Sequence, residues 1–118
     1  MHELSIAANV VEIVSEQVRQ AGGGRVAAVT LRIGQLSCVH SDALEYSFAL
    51  VCEGTPLAGA ELRIVSLPVV IFCPECRREV ELPGVQRFAC PVCGTRSADI
   101  RQGRELDVDS VELLESSP

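Results

Sequence analysis

The stretch "CPECRREVELPGVQRFACPVCG" holds two Cys-x-x-Cys pairs, Cys73/Cys76 and Cys90/Cys93, separated by thirteen residues. No other feature restricts the fold as strongly. Two residues between cysteines let one tight turn aim both sulfurs at a single ion. A second such turn completes a tetrahedron of thiolates at about 2.3 Å, the preference of Zn²⁺. Pro74 and Pro91 preset the turn backbones, and Gly94 permits the positive φ that closes such a knuckle. A lone pair would also suit a thioredoxin-like dithiol, but two matched pairs without a strand–helix–strand frame do not. Four cysteine ligands leave no open coordination position, so the spacing predicts a structural zinc ion. Its binding energy would fold a module with almost no core of its own.

Around that module the periodicity predicts an α+β domain of two helices and a three-stranded sheet. From Leu4 to about Gln20, Leu4, Ala7 or Ala8, Val11, Val14 and Val18 recur at helical spacing, and "GGG" at 22–24 ends the run. "RVAAVTLRIG" reads as a strand whose apolar face is Ala27, Val29, Leu31 and Ile33. "SDALEYSFALVCEG" reads as a second helix, capped by Ser41 or Asp42, with Leu44, Phe48 and Val51 inward and Gly54 as its stop. "AELRIVSLP" and "ELDVDSVELLE" supply the other strands. The expected division is therefore discontinuous: residues 1–68 plus 105–118 form the α/β domain, and residues 69–104 are an inserted zinc-ribbon-like module.

Hydrophobic residues make up 47% of the 118 and aromatics only 3%, so the core must be aliphatic. The formal charge is −6, which argues against nucleic acid or an anionic membrane as partner. Zinc ribbons often bind nucleic acid, so the local charge matters too. Residues 73–104 carry six arginines against four acids, a formal +2, which the −2 of a Zn(Cys⁻)₄ centre cancels. No apolar run approaches the roughly 18 residues a membrane span needs, and Glu12 and Glu16 interrupt any signal-peptide core. The expected compartment is the cytoplasm, where six cysteines are thiols or metal ligands rather than disulfides. No nucleophile–base pair, paired-carboxylate motif or phosphate loop is present, so the chain reads as a non-enzyme.

The chain opens Met1-His2-Glu3, with only one other histidine, His40, in the whole sequence. The α-amine, the His2 amide nitrogen and the His2 imidazole can close consecutive chelate rings, and the Glu3 amide or carboxylate can add a fourth donor. Such a set favours square-planar Ni²⁺ or Cu²⁺, and an α-amine with a pKa near 7.7–8.0 loses its proton at little cost. The plainer reading is a solvated His2 and a favourable acid in the first turn of a helix. Cys38 and Cys52 read as small buried hydrophobes, and His40 as a loop residue before the second helix rather than a further nickel ligand.

Beyond these motifs, "MHELSIA", "VTLRIGQLSCV", "SFALVCEGTPLAGAEL", "CPEC…CPVCG" and "GRELDVDSVELLE" together resemble the HypA/HybF family of nickel metallochaperones almost end to end. The resemblance implies a carrier that binds Ni(II) at Met1, His2 and Glu3, holds structural Zn(II) at Cys73, Cys76, Cys90 and Cys93, and serves maturation of nickel–iron hydrogenase. It also implies a HypB-type GTPase and the hydrogenase large subunit as partners, with urease maturation proteins for some relatives. One departure is that no histidine follows His40, whereas some members carry one in the zinc module. The competing reading is a zinc-ribbon adaptor or regulator that binds protein or nucleic acid, with His2 incidental.

Overall fold

Nineteen residues free of glycine and proline form helix α1, His2–Gln20, in the computed structural model, which describes residues 2–114. Its inward row is Glu3, Ala7, Val10, Val11, Val14 and Val18. The steps of three and four residues keep these on one face. The sequence expectation of an inward Leu4 fails. Leu4 is 53% exposed, because it sits about 100° round the helix from the row that Glu3 opens. After α1 come β1 (Val26–Gly34), a short 3₁₀ turn (Gln35–Ser37) and α2 (Ser41–Cys52). The remaining strands are β2 (Glu61–Leu67), β3 (Val70–Cys73), β4 (Arg78–Glu81), β5 (Ile100–Gln102) and β6 (Leu106–Leu113).

The strands make two sheets of three, ordered β2-β1-β6 and β4-β3-β5, and in the second β3 pairs antiparallel with both β4 and β5. This is the α+β class expected, with the three strands read from the sequence forming the first sheet. β1 lies in the middle and is buried along most of its length, so Val26 and Ala28 are buried as well as Val29, Leu31 and Ile33, while Ala27 is only half-buried. A central strand has neighbours on both edges, and strict alternation weakens there.

By internal contacts the chain divides into two compact units. One comprises Met1–Leu31, Val39–Ile64 and Val108–Pro118, the other Arg32–Cys38 and Val65–Asp107. In the first unit, α1 packs on α2, whose inward residues are Leu44, Ser47, Phe48 and Cys52, with Val51 half-buried. Full burial of a Val, Leu or Phe side chain is worth roughly 1.5–3 kcal/mol, so this aliphatic interface carries much of the unit's stability.

The start of α2 departs from expectation. The cap position is His40, and no side chain of the helix's own segment caps it; neither Ser41 nor Asp42 does so. Glu3 of α1 supplies the acceptor, its Oε2 taking the His40 N–H at 3.2 Å. A capping box does the same from within one helix, and here the acid comes from another. That bond, first among several, holds the Glu3 carboxyl below its ordinary pKa.

In the second unit, Val69, Ile71, Cys73, Val80, Leu82 and Cys90 form an apolar cluster joined by Leu36, Cys76, Phe88 and Ile100. The expectation of almost no core is thereby corrected: the core exists, and three of the four knuckle cysteines belong to it. β3 pairs with β4 from Val70↔Glu81 to Cys73↔Arg78, so the first knuckle is the turn of a hairpin. Two backbone segments meet closely at the edge of this unit. Gly34 N–H donates to Glu105 O and Leu36 N–H to Gly103 O, each at 2.8 Å. A Cβ on Gly34 would collide with the Gly103 carbonyl. Gly34→Ala should therefore cost at least roughly 1–3 kcal/mol in denaturant unfolding. Gly84→Ala, where a Cβ meets nothing within 4 Å, should leave the midpoint unchanged.

Candidate metal centre

Each knuckle is built in the same way. Arg77 N–H donates to Cys73 O and Gly94 N–H to Cys90 O, both at 2.8 Å, wrapping one turn around each Cys-Pro-x-Cys. The residue that ends each turn has positive φ, +54° at Arg77 and +80° at Gly94. Gly94 was legible as such a position. Arg77 was not, since a side chain there carries the cost of the left-handed region. The second knuckle is closed by Cys90 N–H to Thr95 O at 2.8 Å and by the Ala89↔Arg96 bridge.

The two turns bring the sulfurs of Cys73, Cys76, Cys90 and Cys93 to within 4.8 Å of one another. Cys73 Sγ and Cys93 Sγ are 3.5 Å apart, and Cys76 Sγ and Cys90 Sγ 3.9 Å. A tetrahedral ion with bonds of about 2.3 Å needs sulfur–sulfur edges of about 3.8 Å. The donor set and its spacing thus fit a four-coordinate thiolate-bound dication. Among the described residues no other group of three or more His, Cys, Asp or Glu could hold a metal ion.

Four sulfurs so close cannot all carry negative charge unless a cation neutralises them, and they titrate as one coupled group. Cys76 is pushed up to about 12, chiefly through its hydrogen bond with Cys93. Cys93 is held down to about 6, first by the Thr95 side chain and then by the Thr95 backbone N–H. Cys90 lies below the ordinary thiol value, first because the Cys93 backbone N–H donates to its sulfur. Backbone donors aimed at sulfur favour thiolate, the form a metal needs. Burial grades the four ligands: Cys73 and Cys90 are buried, Cys76 is half-buried and Cys93 is exposed. Thr95, with Oγ1 3.2 Å from Cys93 Sγ, is the residue the sequence reading missed. Its place two residues after the last cysteine was the only available signal.

The other candidates fall as follows. Met1 lies outside the described residues, and His2 is placed only as the first residue of α1. Glu3 is buried and bonded to the backbone of His40, so the structure joins the chain's opening to the segment before α2. Cys52 is buried, as expected, and burial pushes its thiol up to about 11. Cys38, expected in the core, is exposed instead. It takes φ +59° to end the 3₁₀ turn, which points it away from packing.

Comparison with known proteins adds a second, independent line. Residues 1–113 match the family described as hydrogenase/urease nickel incorporation, metallochaperone, HypA. A hydrogenase maturation factor HypA of Chloroflexus aurantiacus is 53% identical over 112 residues, covering 95% of this chain and 98% of that one. A hydrogenase maturation factor HybF of Escherichia coli is 41% identical over 114 residues, covering 96% and 99%. The fold is also that of two solution structures. A HypA protein gives a TM-score of 0.69 at 24% identity, with 97% of each chain covered. The Ni metallochaperone HypA from Helicobacter pylori gives 0.65 at 21%, with 97% of this chain and 98% of that one covered.

Two outcomes test the four-cysteine centre. Cys73→Ser should release the bound ion and loosen residues 69–104 to hydrogen exchange, whereas Cys38→Ser should do neither. Thr95→Val should raise the pH at which acid strips the ion, because without the hydroxyl the Cys93 thiolate competes less well for metal against protons. Thr95→Ser should keep the wild-type profile. A chromophoric chelator followed against pH reads both.

Proposed function

The chain belongs to the HypA family, and from that premise we propose that it is a nickel metallochaperone for hydrogenase maturation, with Ni(II) as cargo and Zn(II) as structural ion. The observation that carries this reading is a family match spanning residues 1–113, which includes both Met1-His2-Glu3 and the two cysteine pairs. The zinc assignment is supported by a donor set of four thiolates at tetrahedral spacing. Residues 69–104 act as its module, and residues 1–68 with 105–118 as the nickel-binding part.

Nickel is held by the Met1 α-amine, the His2 amide and imidazole, and Glu3. First-turn N–H groups have no helical carbonyl to satisfy, so an amide of the first turn ligates without breaking α1. Because Glu3 Oε2 already accepts the His40 N–H, the amide is the better donor from Glu3 and the carboxylate keeps the opening of α1 docked. Nitrogen donors of this kind suit Ni²⁺, while thiolates hold Zn²⁺; the two ions are sorted by ligand type. The role is transfer rather than catalysis. Cargo passes within a cytoplasmic maturation complex to a HypB-type GTPase and the hydrogenase large subunit. No helix among the described residues is long and apolar enough to cross a membrane. The acidic balance of −6 continues to disfavour the adaptor reading that needs nucleic acid.

Calorimetric titration of the untagged chain should give one nickel per chain. His2→Ala, or a few residues added before Met1, should weaken it by more than the roughly 10–100-fold that loss of an outer-shell partner costs. Zinc content should not change. Unchanged nickel affinity in both variants would falsify the terminal site.

A further inference from the structure

The four knuckle sulfurs are not equally open to attack. Cys73 and Cys90 are buried, Cys76 is half-buried and Cys93 is exposed. Cys93 also lies on the most open stretch of the second unit's centre, because Pro91, Val92, Cys93 and Gly94 are all exposed. A reagent in solvent therefore meets this sulfur first, and oxidation of cysteine follows thiolate character and exposure.

Beneath it lies a second sulfur that is held still. Cys73 is fully buried and ends β3, the middle strand of its sheet, where it pairs with Arg78 of β4. Its Sγ is 3.5 Å from Cys93 Sγ on the other knuckle. A disulfide has sulfurs about 2.05 Å apart, so these two must close by roughly 1.5 Å. The exposed knuckle supplies that movement more readily than the paired strand. The two residues are 20 apart in sequence, so a bond between them cross-links the same two turns that a shared ion would join. Cys38 is the other exposed cysteine, but its S–H is turned to Leu36 O and it stands outside the four-sulfur group.

We propose that Cys93 is a peroxide-reactive cysteine, that Cys73 is its resolving partner, and that the bond they form across the knuckles expels the zinc ion. This rests on the zinc reading above. The Cys93 sulfur attacks one peroxide oxygen, the O–O bond breaks, and the departing hydroxide takes a proton to become water. The Cys73 thiolate then attacks the sulfenic sulfur of Cys93. The S–O bond breaks, the S–S bond forms, and a second hydroxide leaves as water with another proton. Two thiolates lose two electrons, and one peroxide is reduced to two waters. Only Cys76 and Cys90 then remain for the ion, two ligands where a closed site needs four, and it dissociates. A thiol reductant reverses the bond and restores the site.

The test treats the untagged chain, as purified, with excess hydrogen peroxide. A chromophoric chelator reads released zinc, and mass spectrometry without reduction maps the bonds. Trypsin leaves Cys73 and Cys76 on residues 64–77, and Cys90 and Cys93 on residues 88–96. Those two peptides should be joined, and further cleavage after Glu75 should leave Cys73 as the joined half. Zinc loss should match the disulfide one for one, and dithiothreitol with added zinc should reverse both. Cys38→Ser should release zinc at the wild-type rate. The inference is overturned if zinc stays bound in peroxide, if the bond maps to Cys90–Cys93 or to Cys38, or if Cys38→Ser abolishes release. A chain purified without zinc sinks the zinc reading alone. The disulfide map of that chain then decides the sulfur pairing by itself, with Cys73–Cys93 still the bond expected and any other bond contradicting it.

Discussion

The convergence of four sulfur atoms is the constraint on which the rest of the second unit depends. Cys73 and Cys90 are members of its apolar cluster, with Cys76 packed against it, and all three also belong to the sulfur group that could hold a metal ion. Ligand geometry and core packing are therefore one problem there. β3 and β4 run in register up to Cys73↔Arg78, so the hairpin delivers its first pair of sulfurs as a consequence of strand pairing. A cluster of six buried residues with four more packed against it is small, and units of that size usually need a metal or a disulfide to persist. The proposed zinc ion would take that part, and a site with four protein ligands and no open position has no chemistry to offer a substrate.

The first unit meets a different requirement. Its two helices bury valine, leucine and phenylalanine, yet the inward row of α1 begins with a carboxylate. A buried acid is tolerated only when hydrogen-bonded, and Glu3 satisfies this by capping α2 from α1. Glu3, in the first turn of α1, is thereby tied to a residue 37 positions further along the chain. In the proposed carrier, with its first residues as ligands, such anchoring would set where the cargo is offered without closing a cage around it. A site made of a terminus and its first amides stays open to a recipient.

Much of this was legible in the sequence, for physical reasons that differ from one residue to the next. The cysteine spacing reports directly on turn geometry, and the three β-branched runs report on strands, so the centre and the first sheet were readable. Gly94 announced its positive φ by having no side chain, whereas Arg77 adopts the same conformation without a signal. Leu4 and Glu3 were exchanged because helical phase cannot be fixed at a helix end from apolarity alone. The His40 N–H, supplied by another element, helps to make an inward glutamate acceptable. Cys38 was misjudged for the reverse reason, since the left-handed backbone that ends a 3₁₀ turn turned an apolar-looking side chain outward. Thr95 was invisible because its part is defined by a sulfur two residues back in a folded knuckle.

In the proposed carrier two ions are divided between two kinds of donor, nitrogen at the terminus and sulfur at the knuckles. X-ray absorption at both metal edges of the untagged protein, loaded with one nickel and one zinc, examines that division directly. The zinc edge should show four sulfurs at about 2.3 Å, and the nickel edge only nitrogen and oxygen donors. Sulfur in the nickel shell, or fewer than four sulfurs around zinc once nickel is bound, would contradict it.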